Sequence, residues 1–343
     1  MTFARDLASF ADSASQNLTF RNKIINGDFG IWQRGTSFTN PTSSSTTYTT
    51  DRWILGFANA NPTSASITQQ SFTPGNPITG YEPTFFARST ITTVGSTTTY
   101  RPFTQRIEDV RTFAGQTVTL SFWAKADSAR TLTTNFQQVF GTGGSSSVGG
   151  SGQSHTLSTS WNRYTHSFGV TSISGKTIGT SSYLEIIFQQ AAASGSVLDI
   201  WGVQVEAGPA ATPFEIRPIG TEFALCQRYY EKSFPYATAP QNGANSTSFA
   251  TSNGLLGYVS GNSMQVGFLK FTVQKRVAPI MTAYGNSSGQ TKYRDSVTSS
   301  TDLWSVSALT FTGISETGVL MQQNVVNNVV VPIQGHWVAD AEL

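Results

Sequence analysis

One cysteine, three histidines and few charged residues set the first limits on this 343-residue chain. Cys226 is the lone thiol, so an internal disulfide framework is excluded. One cysteine and three scattered imidazoles offer no zinc or iron ligand set, and no metal or organic cofactor is expected. Charged side chains make up 12% of the residues, against roughly 25% in typical soluble domains. The net charge is +2, and no run of Lys or Arg interleaves with aromatics. The electrostatic footprint that nucleic acid requires is therefore missing. No apolar stretch approaches the roughly 20 residues needed to span a bilayer. The opening residues MTFARDLASFADSASQN carry acidic groups and no central apolar run. They do not read as a secretory signal, and the expectation is a chain made in a cytoplasm without Sec-type export.

Ser, Thr, Gly, Asn and Gln replace the missing charges, while 38% of the residues are apolar and 12% aromatic. Such a chain can bury a sizeable core and still present a polar surface. Thr and aromatics fit a pleated sheet, and Gly, Asn and Ser make its turns. At this length two domains are expected.

Residues 3–14 place Phe3, Leu7, Phe10, Ala11 and Ala14 on one helical stripe. A helix this short is not stable alone in water. It is either a frayed leader packed on its own domain or an anchor (1–17) whose apolar face needs a sister subunit or a docking protein. From residue 18 to 218 the signals are almost all strand. Val118, Leu120 and Phe122 alternate with Thr119, Ser121 and Trp123. Leu184–Phe188 is a short apolar run, and Val197–Val205 places Trp201, Val203 and Val205 on one face. Strands separated by turns, with no helices between them, predict an antiparallel sandwich. GTGGSSSVGGSGQS (141–154) reads as a mobile hairpin loop inside it.

Pro209, Pro213 and Pro218 mark an extended exit. A short helix follows, with Thr221 as N-cap, Glu222 in its first turn, and Phe223, Cys226, Gln227 and Tyr230 on one face. Residues 219–343 then read as a second, small β domain with strands at Met264–Val273, Ile280–Tyr284, Trp304–Phe311 and Val325–Ile333.

Sugar binding needs a flat apolar face for a pyranose ring and polar side chains for its hydroxyls. Trp123 is the leading candidate, because one of the two alternating sets on its strand must face away from the core. Asn135, Gln137, Gln138, Gln189 and Gln190 lie on neighbouring strand-like segments and could line the same face. The bland alternatives are a core Trp123 and ordinary exposed amides. In the second domain Tyr229, Tyr230, Phe234 and Tyr236 gather near the helix end, as a glycan platform or as packing for the helix. Trp304 and Trp337 share that ambiguity. Glycoside hydrolysis needs two carboxylates flanking a cleft. Glu82 and the pair Glu108–Asp109 invite the idea, but nothing near them supplies the environment such a pair requires, and solvated turn acids are the better account. With no nucleophile elbow and no fixed-period repeat, enzymatic activity is not expected.

The segments NKIINGDFGIWQRG (22–35), YTTDRW (48–53), TLSFWAKA (119–126), WNRYT (161–165) and LDIWGVQVEAG (198–208) occur in the order seen in jelly-roll carbohydrate-binding modules. ATPFEIRPIGTEFALCQRYYEK, VQKRVAPIMTAY and the final WVADAEL resemble the ends of bacteriophage tail-fibre and related virion proteins. The resemblance implies a virion fibre or fibre-tip protein, made in the host cytoplasm, that binds host surface glycan without catalysis. It also implies a homotrimer, joined to other virion proteins through the N-terminal helix. Within the framework motifs Trp32, Trp53 and Trp201 read as structural. Many sugar-binding jelly rolls hold calcium with an acid placed where this chain has Gly30, and Asp28 and Asp199 alone do not make such a site. The alternative to receptor binding is a purely structural virion part (collar, head fibre or baseplate decoration) that uses the sandwich as a spacer.

Overall fold

A computed structural model describes residues 20–39, 47–58, 62–75, 78, 80–94, 99–191, 195–236, 238–242, 255–259, 264–284, 294–295, 310–323 and 331–343. The N-terminal helix with Phe3, Leu7 and Phe10, and Trp304 in the second domain, lie outside the described residues. The chain forms two compact units. The first holds Ile54–Arg217 with the segment that ends at Gly30. The second holds Pro218–Leu343 with Ile31–Phe38 and Tyr48–Trp53, two early segments that the sequence reading keeps in the first domain.

The first unit is a jelly-roll β-sandwich. One sheet runs in the order β4 (Pro62–Ser71), β5 (Phe85–Val94), β13 (Ser196–Ala207), β7 (Thr117–Ala126) and β11 (Asn162–Gly169). The other runs β10 (Gln153–Leu157), β8 (Arg130–Val139), β12 (Tyr183–Ala191), β6 (Thr99–Glu108) and β3 (Trp53–Ala58), with β9 (Val148–Gly149) on β8. The pairings from β4 through β11 and from β10 through β6 are antiparallel. Their inner faces meet through aromatic side chains. Phe122 of β7 meets Phe188 of β12 edge-to-face at 5.0 Å, and Phe136 of β8 stacks on Phe168 of β11 at 4.1 Å. Each fully buried Phe contributes about 1.5–3 kcal/mol relative to exposure, so rings like these dominate the cohesion of the core.

β13 departs from the alternation its sequence suggests. Trp201 pairs with Trp123 and Gln204 with Ser121, so β13 carries one extra residue there. Gly202 adopts φ +65, and a Cβ at that position would lie 2.7 Å from the Trp123 ring. The bulge puts Trp201 on the outer face, whereas Val205, opposite Leu120, belongs to the inner one. The backbone freed by the bulge is taken up by the Asn22–Gly30 segment. Val203 N–H donates to the Gly27 carbonyl at 2.8 Å, while Asn22 donates to the Val203 carbonyl and accepts from Val205 N–H. Gly202→Ala is expected to cost at least about 2 kcal/mol, from the left-handed backbone and the clash with Trp123. An unchanged urea midpoint in that variant would overturn this account of the bulge.

Residues 141–154 are a fixed hairpin, not the mobile loop their composition suggests. Thr142 bridges Thr180, β9 pairs with Gln137–Gln138, and Gly150 donates to the Phe136 carbonyl. A Cβ on Gly150 would fall 1.8 Å from the Phe136 ring. Close backbone approach accounts for this glycine, in place of looseness.

In the second unit β21 (Val331–Asp340) is central. It pairs antiparallel with β14 (Tyr230–Lys232), β15 (Leu255–Val259), β17 (Ile280–Tyr284) and β18 (Arg294–Asp295). A three-stranded sheet runs β16 (Met264–Lys270), β20 (Gly318–Gln323) and β19 (Thr310–Thr312). Phe271, Val319, Met321, Trp337 and Ala339 form the core. Helix α1 (Ile219–Gln227) starts two residues before the expected cap: Pro218 is the N-cap, and Thr221 N–H bonds the Pro218 carbonyl inside the first turn. Proline fixes the entry dihedral, so no hydroxyl cap is required. Tyr230, read as helical, lies in β14. No helix among the described residues is long and apolar enough to cross a membrane.

Three imidazoles are buried. The Thr134 hydroxyl lies 3.0 Å from His155 Nε2 and 2.9 Å from His166 Nδ1, while His336 of the second unit lies 3.0 Å from Ser233 Oγ. Burial lowers His155 to about 4, with His166 adding to the effect. Burial also lowers His166, and it lowers His336 to about 4. The unfolded chain takes up these protons near pH 6.5 while the fold refuses them. Stability present above pH 6.5 is therefore lost as pH falls toward 4, by about 3 kcal/mol for His155 alone. The urea midpoint should drop between about pH 7 and pH 4.5, and the drop should shrink in His155→Gln. An equal drop in the variant would remove His155 from the account.

Candidate functional site

On β7 the pleat sends Val118, Leu120 and Phe122 to the interior and Thr119, Ser121, Trp123 and Lys125 to the outer face of the first sheet. That outer face has a dry end and a wet end. At the dry end Trp123 is only 4% exposed, packed with Ile78, Phe86, Trp201 and Phe214. Phe72, Ile78, Tyr81 and the exit 209–217 cover it: Tyr81 meets Trp123 at 5.5 Å, Phe214 meets Trp201 at 5.1 Å, and Arg163 ties Ser121 Oγ to the Thr212 carbonyl. The Arg163 guanidinium also lies 4.7 Å over the Trp123 ring. Trp123 is thus a core residue of a second apolar layer, and its ring is not free for a ligand.

The wet end lies one residue pair further along the strands. Antiparallel register lines up Thr68, Arg88, Asp199 and Lys125, and the pairing of Asn162 with Ala124 sets Trp161 beside Lys125. Arg88 grips Asp199 with Nε at 2.7 Å and Nη2 at 2.9 Å, and Lys125 Nζ lies 3.6 Å from the same carboxylate. Hydrogen bonding to Asp199 raises the Arg88 guanidinium further above its ordinary value. Lys125 Nζ lies 5.3 Å from the Trp161 ring, within cation–π range. Trp161, Phe72 and Tyr81 are half-buried, with Phe72 5.3 Å from Trp161. They form a continuous aromatic surface backed by Phe86, Trp123 and Trp201. A flat, partly exposed ring beside unspent N–H donors is what pyranose recognition requires.

Asn135, Gln137 and Gln189 lie on the outer face of the second sheet, so the structure brings them together but not with Trp123. The register sets Gln137 against Glu185, Asn135 against Ile187 and Gln189 against Thr133. Arg106 binds Glu185 at 3.2 Å and covers the Tyr183 ring at 4.7 Å. Burial raises the Tyr183 phenol. Gln138 and Gln190 are buried instead, with Gln138 Nε2 donating to the Thr171 carbonyl. On this face the Tyr183 ring is already capped by a guanidinium.

In the second unit Tyr229 is buried and the Arg52 guanidinium lies 3.4 Å over its ring. It is therefore not part of a glycan platform. Tyr236 is 45% exposed, while its hydroxyl accepts from Trp32 N–H and its ring meets Phe223 edge-on. Trp337 lies in the core.

The carboxylates weighed for hydrolysis are engaged locally: Asp109 with Arg111, and Glu82 with Gly75 N–H. Among the described residues no three His, Cys, Asp or Glu side chains are grouped to hold a metal. Trp161, Phe72, Tyr81 and Lys125 escape the sequence reading because their meeting depends on strand register. WNRYT carried a signal, but it reads as framework.

No family model matches the chain, and no curated protein does. Solved structures are similar at low identity. The enzymatically active domain of bacteriophage CBA120 tailspike protein 4 matches over 55% of this chain at 19% identity and TM-score 0.33. The chain spans only 22% of that protein's length. A protein of Bacteroides thetaiotaomicron assigned to sugar binding matches over 55% of this chain and 100% of its own at 12% identity and TM-score 0.37. The module TmCBM61, solved with β-1,4-galactotriose, matches over 55% of this chain and 99% of its own at 8% identity and TM-score 0.31. Likenesses of this size concern the β-sandwich and carry no functional inference.

Proposed function

We propose that this chain is a subunit of a phage virion fibre or fibre tip that binds host surface carbohydrate without catalysis. The observation that carries the reading is the half-buried aromatic surface of Trp161, Phe72 and Tyr81 beside Lys125 and Arg88. The ordered sandwich and virion-like motifs of the sequence supply the biological setting. The protein acts as a homotrimer: three weak sites on one fibre gain avidity through effective concentration, by factors of about 10²–10⁴.

The test is binding of the full chain to a bacterial polysaccharide and glycan array. Trp161→Ala should weaken binding by about tenfold or more, the equivalent of about 1.4 kcal/mol, and should cost only about 1 kcal/mol of stability. Trp123→Ala should instead lose about 3–5 kcal/mol of stability by thermal unfolding, because it empties a packed layer. Gln137→Ala should leave binding unchanged. Loss of binding in Gln137→Ala with retention in Trp161→Ala would move the site to the second sheet. No binding to any glycan would favour the structural virion role.

Light scattering should give a mass about three times 36.9 kDa. A mass near the monomer value at micromolar concentration would remove the trimer.

A further inference from the structure

We infer that the wet end of the first sheet's outer face is built for an acidic sugar, a uronic-acid-type pyranose whose carboxylate is bound by Lys125 and Arg88. The inference rests on the reading that this face binds carbohydrate, and it names the ligand class.

Two cations meet one anion here. Arg88 spends Nε and Nη2 on Asp199, which leaves its Nη1 without a hydrogen bond. Lys125 Nζ stands 3.6 Å from Asp199, an ion pair too long for a hydrogen bond, and donates to no group among the described residues. Asp199 is itself 2% exposed, so it offers solvent no acceptor, while Lys125 and Arg88 keep 29% and 34% of their side chains exposed. The local charge is one positive in excess, and its free donors face outward.

The other carboxylates of this face are already engaged. Asp127 is held by Arg130 through two hydrogen bonds of 2.6 Å, and that contact keeps its carboxyl far below the usual range. Glu206 accepts from Gln204 and Thr212 and pairs with Arg21 at 3.5 Å. Glu82 turns to Gly75 N–H. The indole N–H of Trp161 also makes no hydrogen bond among the described residues. A pyranose lying on Trp161 therefore has donors at its edge and a net positive charge within cation–π distance of the ring. Hydrogen bonds from charged donors to a carboxylate are about twice as strong as neutral ones, so a neutral sugar leaves the strongest interaction of this site unused.

The experiment titrates the full chain with an oligosaccharide containing glucuronic acid and with the same oligosaccharide after reduction of its carboxylates to alcohols. Binding of the acidic form should be at least about tenfold tighter, equal to about 1.4 kcal/mol. It should weaken when NaCl rises from about 0.05 M to 0.5 M, as screening shortens the reach of exposed charges. Lys125→Gln should bring the acidic form down to the affinity of the reduced one, and Trp161→Ala should weaken both. Equal, Trp161-dependent affinity for the two forms, unmoved by salt or by Lys125→Gln, would overturn the acidic-ligand inference and leave carbohydrate binding standing. Absence of binding to both forms here, and to the whole glycan array, would overturn the two together.

Discussion

The extra residue in β13 at Gly202 determines what each face of the first sheet carries. Without it, Trp201 and Val205 would share a face and one of them would be misplaced. With it, Val205 joins Leu120 inside while Trp201 packs on Trp123 outside. The bulge also frees backbone groups on β13, and the Asn22–Gly30 segment exists to satisfy them. Asn22 alone accepts from Ile24 and Val205 and donates to Val203. Glu215 then accepts from Phe20 and Asn22 N–H, and Arg217 donates to the carbonyls of Asn22 and Ile24. The segment that leaves the sandwich is thereby fastened to the segment that enters it. The prolines at 209, 213 and 218 hold that exit extended across the face it covers.

The second unit solves a different problem, because its small sheets enclose charges. Lys275 is buried against Glu231 and donates to the carbonyls of Gln227 and Val273, and Arg52 is buried against Glu342 and the Tyr229 ring. Arg34 lies 3.3 Å from Asp340 and from Glu342, and 3.6 Å over Tyr230. Removing one partner of such a pair leaves an uncompensated buried charge, at a cost of about 3–5 kcal/mol. The segments Ile31–Phe38 and Tyr48–Trp53 belong to this unit because Gln33, Arg34, Asp51 and Arg52 take part in these contacts. A low overall charge does not mean that charge is structurally idle here.

Legibility in the sequence followed the range of the interactions. Period-two alternation in β7 is local and readable, whereas in β8 the sequence reading sets Gln137 and Gln138 on one face and the structure turns Gln138 inward with Leu132, Thr134 and Phe136. Ile280–Tyr284 was readable to its ends. Register was not readable, since it depends on which strands become neighbours. The position of Trp123 turned on a covering layer supplied by Phe72, Ile78, Tyr81 and Phe214. For Tyr229 the choice between platform and packing stays open in the sequence for a similar reason, because the arginine that caps it lies far earlier in the chain. The glycines of 141–154 looked like a flexible tract because close packing against Phe136 and Thr180 leaves no compositional mark.

The same register argument explains why the wet end of the first sheet stays open. Trp161 immediately precedes β11, the last strand of its sheet among the described residues, and its half-buried ring packs against Phe72 and Phe86. Lys125, one strand inward, lies 3.6 Å from Asp199 and 5.3 Å from the Trp161 ring. A fold selected only for stability would close this corner with a carboxylate or an aliphatic side chain, as it does at Asp127–Arg130. Lys125, ion-paired at long range and without a hydrogen bond among the described residues, stands beside a half-buried indole, and the proposed ligand would complete that corner.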